Sequence, residues 1–100
     1  MFAVTITFSI RLGAQPQFMT ALEAHLNDVV AQETNCARAE AYGDPQRPGK
    51  VMLVQVFAAS EDFDSFRASQ LARDFDSQVV DMVTGRSIAT WTELVEVRDI

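Results

Sequence analysis

The sequence predicts an α+β fold with an antiparallel sheet and helices on one side of it. Three observations predict it. Apolar and small polar residues alternate over 2–10, the period becomes helical from 16 to about 33, and the turn-forming run GDPQRPG at 43–49 separates two further alternating segments. The resulting order is strand, helix, strand, strand, helix, strand.

Val4, Ile6, Phe8 and Ile10 occupy one face of the first strand, with Ala3, Thr5, Thr7 and Ser9 on the other. β-branched residues at period two favour a strand. Gly13 breaks it, and Pro16 suits the first turn of a helix. At ~100° per residue, Phe18, Leu22, His25 and Val29 share one arc, so His25 lies on the apolar face. This helix is expected to end near Asn35, a residue that tolerates a left-handed exit. CARAEAY at 36–42 alternates again, and Lys50 to Phe57 is the most hydrophobic strand, as a central one would be.

Ser60-Glu61-Asp62 reads as a helix start, with a hydroxyl cap and acids in the first turn. Phe63 and Phe66 share a face of that helix. A second helical stretch is expected from roughly 71 to 84, with Leu71, Phe75, Val79, Met82 and Val83 as its apolar side and Gly85 as its stop. SIATWTELVEV, 87–97, is expected as the last strand. This is the split βαβ order of ferredoxin-like folds, in a single domain over residues 1–100. The helices cover one sheet face; the other, carrying Ala3, Thr5, Thr7 and Ser9, needs cover of its own.

A net charge of −6, from 14 acidic and 8 basic residues, opposes polyanion binding, because phosphate backbones are held by clustered cations. No nucleic-acid partner is expected. Apolar runs fall short of the ~20 residues of a membrane span, so no membrane partner is expected either. A single cysteine, Cys36, excludes an intrachain disulfide, and a cytoplasmic protein is expected. One His and one Cys in different elements make no metal site, and there is no Gly-rich phosphate loop or Ser-His-Asp set. No metal, haem, flavin or other cofactor is expected. His25 reads either as a pocket base or as a satisfied core histidine, and Cys36 as a small buried hydrophobe.

The chain resembles the antibiotic biosynthesis monooxygenase (ABM) family over roughly residues 2–97. The resemblance rests on the first strand ending at Gly13, Phe18 opening the first helix, and Glu33-Thr34-Asn35-Cys36 where the family tends to have Glu-Pro-Gly-Cys. It continues with Tyr42 to Pro45 before the hairpin, and Gln55-Val56-Phe57 followed by Ser60 where Glu-x-Trp is common. It implies a dimeric α+β barrel, a homodimer made by sheet-on-sheet packing. The last strand, running on through Leu94 to Val97, could reach across to the partner.

The resemblance also implies a pocket between sheet and helices. Its polar members would be His25 and Gln55, in catalytic roles, with Arg73; its walls would be Ile6, Phe8, Leu22, Leu53, Phe57, Phe63, Phe66 and Trp91. Where many relatives have His-Arg-Ala-Ser, this chain has Phe66-Arg67-Ala68-Ser69. The Trp, Tyr and Asn of polyketide-oxidising members are matched by Phe57, Phe63 and Leu53, and the axial His of haem-degrading members by Asp76. Two functions stay open. One is a cofactor-independent monooxygenase acting on a small quinol, anthrone or other electron-rich phenol. The other is a non-catalytic module binding a small apolar or aromatic molecule in a barrel that has lost the family's polar residues. An open cavity of a few hundred Å³ near Gln55, about the lower end for ligand pockets, would favour the first, and one filled by phenyl rings the second.

Overall fold

In a computed structural model, which describes residues 1–97, the alternating opening segment is β1 (Phe2–Ile10). After Gly13 come α1 (Gln15–Gln32), β2 (Cys36–Asp44), β3 (Arg47–Phe57), α2 (Ser60–Arg67), α3 (Gln70–Val79) and β4 (Val83–Thr92). The sheet order is β2-β3-β1-β4, with every neighbouring pair antiparallel. This is the ferredoxin-like α+β arrangement. Residues 98–100 of the expected domain lie outside the described residues.

Strand parity divides the sheet faces. Val4, Ile6 and Phe8 of β1 pair with Gln55, Leu53 and Val51 of β3 and with Thr90, Ile88 and Arg86 of β4, so all of these share the helix side. The core forms there. Phe8 meets Phe18 of α1 at 5.2 Å between ring centroids and Phe75 of α3 at 6.3 Å, and burying each such ring contributes about 1.5–3 kcal/mol. α1 has no side-chain N-cap and no acid in its first turn. Its stability therefore comes mainly from the buried stripe Phe18, Ala21, Leu22, His25 and Val29 rather than from its ends. Gly13, at φ +88°, makes the reversal into α1 in a conformation that costs other residues about 1–2 kcal/mol.

Four local expectations are corrected. The helix over 71–84 stops at Val79, and β4 begins at Val83, before Gly85. Val79, Val80, Val83 and Thr84 are β-branched, and the edge of β1 offers Val83 a partner in Ile10; sheet pairing outweighs the helical spacing. β4 also ends at Thr92 rather than at 97, because Thr92 pairs with Phe2 and β1 extends no further. Leu94, Val95 and Val97 are exposed there. At α2 the N-cap is Ala59, Ser60 being already helical; the Asp62 carboxylate accepts from the Ala59 N–H at 3.1 Å. The run 43–49 is mostly strand around a turn at Pro45 and Gln46. Asn35 lies in the turn after α1, where its amide donates to Asp62 at 3.0 Å and ties that corner to α2.

Candidate active site

Between the helix side of the sheet and α1–α3 lies a cavity of about 130 Å³. Ile6 and Phe8 come to it from β1, Leu53 and Gln55 from β3, and Arg86 and Ile88 from β4. His25 of α1, Phe63, Phe66 and Arg67 of α2, and Ala72, Phe75 and Asp76 of α3 complete the wall. β4 is the sheet edge and Ile88 is 40% exposed although it faces the helices. The cavity therefore opens along β4. A shallower groove of about 310 Å³ continues outward past Phe8, Asp76 and Arg86.

Gln55 sits on a central strand, flanked by Val4 and Ala39, and is 1% exposed. Among the described residues, neither its amide nitrogen nor its amide oxygen has a hydrogen-bond partner. A buried polar group left in that state costs about 1–3 kcal/mol, and buried polar groups are otherwise paired almost without exception. Both atoms are presented by a residue of the cavity wall. His25, 6% exposed, stacks on Phe75 with ring centroids 4.2 Å apart and planes 14° from parallel. Burial pushes its pKa below the ordinary histidine value, while the carboxylates of Asp76 and Asp28 pull it back up. The imidazole is accordingly neutral at neutral pH, and a proton placed on it meets two carboxylates.

Charge gathers at the mouth. Arg86 Nη1 lies 3.1 Å from Asp76 Oδ1, and its guanidinium sits 5.9 Å from the Phe8 ring centre. Arg67 lies 5.4 Å from that of Phe63, with no carboxylate partner among the described residues.

Of the residues expected at the site, Ile6, Phe8, His25, Leu53, Gln55, Phe63 and Phe66 come together around this cavity. Leu22 and Phe57 are fully buried one layer back, Phe57 packing on Phe63 and Phe66 at 5.6 and 5.7 Å. Arg73 is a correction: it is exposed and turns to the end of α2, donating to the Ala68 carbonyl at 2.7 Å and to Gln70 at 3.2 Å. Trp91 is another. It pairs with Ala3, so parity puts it on the outer face, 57% exposed, with its indole N–H donating to Thr5 at 3.1 Å. Sequence reasoning missed Arg67, Asp76 and Arg86 as wall residues. Cys36, also expected to be structural, is half-buried, and its thiol donates to the Arg38 carbonyl. Burial raises its pKa. Among the described residues no three His, Cys, Asp or Glu side chains converge as metal ligands, and no helix is long and apolar enough to cross a membrane.

Comparison with known proteins places this geometry. The family model described as antibiotic biosynthesis monooxygenase matches residues 1–78. No curated protein sequence matches significantly. Among solved structures, a protein of Deinococcus radiodurans carrying the same family description superposes with a TM-score of 0.89 at 14% identity, over 100% of this chain and 99% of its own. Rv0793 of Mycobacterium tuberculosis gives 0.86 at 20% identity, over 97% and 98%. SO0527 of Shewanella oneidensis gives 0.82 at 22%, over 90% and 87%. These likenesses speak for the fold, and the family match covers more than three quarters of the sequence. The chain belongs to the antibiotic biosynthesis monooxygenase family.

Proposed function

We propose that the protein is a cofactor-independent monooxygenase that oxidises a single-ring, electron-rich phenol or quinol inside the cavity. The observation that carries this reading is Gln55, a fully buried amide with both polar atoms unpaired on the wall of an open chamber. A phenolic oxygen is the kind of group that would satisfy it. A cavity of about 150 Å³ holds one benzene ring, so a chamber of about 130 Å³ favours single-ring substrates over three-ring anthrones.

The chemistry balances without a reductant. A phenol or quinol with a free ortho or para C–H gives up its hydroxyl proton, and the phenolate passes one electron to O2. The radical pair then joins at that ortho or para carbon as a peroxide, which loses water to leave an ortho- or para-quinone. One oxygen atom ends in the quinone and the other in water. Neutral His25 takes the phenolic proton, and Asp76 and Asp28 stabilise the imidazolium formed. The Gln55 amide N–H donates to the developing phenolate in a site with little water to screen it. Phe63, Phe66 and Phe75 hold the ring and keep solvent from the radical pair.

With phenyl rings at Phe57, Phe63 and Phe66 the chamber stays open but is only about 130 Å³, smaller than the few hundred Å³ expected of a ligand pocket. It is the family match that supports the catalytic reading over the non-catalytic one. A homodimer joined through the outer sheet face, in the cytoplasm, completes the proposal; a single cysteine present as a free thiol agrees with a reducing compartment. The test is oxygen uptake across a series of phenols, dihydroquinones and anthrones, with ¹⁸O2 to follow one labelled atom into the quinone. Wild type should turn over a single-ring member, with Gln55→Leu and His25→Ala lower by about ten- to a thousandfold. No uptake by wild type, or variants equal to it, would overturn the reading.

A further inference from the structure

We propose that the cavity selects an aromatic acid, with the ring in the chamber and its carboxylate at the mouth between Arg67 and Arg86. The substrate class rests on the reading above; the binding mode does not depend on turnover.

Charge is the first argument. The chain is acidic, at −6, yet two of its guanidiniums line one small cavity. Asp76 is the carboxylate that lines the cavity with them; Asp28, which also acts on His25, stands outside the wall. The mouth is thus positive by one charge in a protein whose field is otherwise negative, and an anion drawn there has one productive place to go.

Geometry is the second. Arg67 lies against the Phe63 ring and Arg86 against Phe8. Guanidiniums held by aromatic faces keep their N–H edges free for the bidentate bonds that carboxylates accept. Arg86 is held also by Asp76, but the side chains of that pair are 37% and 49% exposed. An exposed ion pair is worth only about 0–1 kcal/mol, so an incoming carboxylate can replace Asp76 on Arg86.

The opposite end of the cavity makes a demand of its own. Gln55 stands on β3 level with Val4 and Arg86 on β4 level with Phe8, so the two lie roughly 10 Å apart across the sheet and roughly 14 Å apart along it, a span their own side chains shorten from both ends. The unpaired amide calls for a hydroxyl or carbonyl at the inner end of the ligand, and the arginines for an anion at the outer end. A chamber of about 130 Å³ leaves room for one ring between them. A hydroxyaromatic carboxylate meets all three demands.

Titration calorimetry at low ionic strength, with 2,5-dihydroxybenzoate beside 2,5-dihydroxybenzamide, tests this without requiring catalysis. The acid should bind at least about tenfold tighter than the amide, and high salt should erase much of the difference. Arg67→Gln and Arg86→Gln should each weaken the acid about tenfold and leave the amide unchanged. Asp76→Asn, which removes the competing carboxylate, should tighten the acid. Thermal melts confirm that each variant is folded. Equal affinity for acid and amide, arginine variants that weaken both alike, or no binding of either would overturn the proposal. Acid binding without oxygen uptake would leave it standing while the monooxygenase reading falls. Oxygen uptake with neutral phenols alone would do the reverse.

Discussion

The imidazole of His25 lies flat on the ring of Phe75, 4.2 Å between centroids, with Phe66 at 6.1 Å. Two apolar rings therefore stand where water would solvate an imidazolium, and burial lowers the His25 pKa. The charged groups facing it are Asp28 on its own helix, Asp76 on α3, and Arg67 and Arg86 across the cavity; β1 and β3 bring only apolar side chains and Gln55. As pH falls through the unfolded-chain value of about 6.5, the unfolded chain takes up a proton that the folded chain still refuses. Stability is therefore full above that value and falls between it and the lower folded value. Urea unfolding across that window should show the loss in wild type and a flatter profile in His25→Leu. Equal slopes would mean that the imidazole titrates alike in both states.

Arg73→Ala should leave turnover within about twofold of wild type, since the guanidinium bonds the Ala68 carbonyl and Gln70 outside the cavity wall. Its cost should be stability alone, about 1 kcal/mol for an exposed side-chain bond to a helix end. Steady-state kinetics beside a urea melt separates the two. A fall in turnover with an unchanged melt would return Arg73 to the site.

How much of this was legible in the sequence depends on which period governs each residue. His25 and Gln55 were readable because helical phase and strand parity each point them one way, whatever the neighbouring elements do. Arg86 was not. Its direction depends on β4 beginning at Val83, and helical spacing carried the expected helix to 84. Only the pairing of Phe8 with Arg86 turns that side chain toward the helices. Trp91 was misplaced for a different reason. Ile88 and Trp91 are three residues apart, which within a strand means opposite faces, so Trp91 falls outside once the pairing of Ile6 with Ile88 fixes the inner face of β4. Arg67 and Asp76 are exposed helix positions, and nothing local distinguishes such residues from solvated charge.

The outer face predicts the oligomer. Met52, Tyr42 and Trp91 are exposed there, beside the half-buried Thr5 and Thr7. Two copies pairing through this face would cover those side chains. Light scattering at micromolar concentration should give the mass of two chains. Thr7→Glu, at the centre of the face between Met52 and Ser87, should halve that mass without touching the helix-side core. A monomeric wild type would exclude the pairing.

Gln55→Leu should make the protein more stable and less able to hold its ligand. Among the described residues nothing bonds either of the two buried amide atoms, so removing them removes a desolvation cost of about 1–3 kcal/mol. Leucine has similar volume and joins a face already formed by Val4, Leu53 and Phe57. The unfolding free energy should rise by about 1 kcal/mol. With 2,5-dihydroxybenzoate present the order should narrow or invert, because ligand stabilises the folded state in proportion to its affinity and the variant has lost the inner hydrogen bond. An amide kept for packing behaves otherwise. Its loss would destabilise the fold, with or without ligand, by the same amount. Urea melts of both proteins, with and without the acid, decide between the two, because a binding role makes the stability difference depend on ligand and a structural role does not.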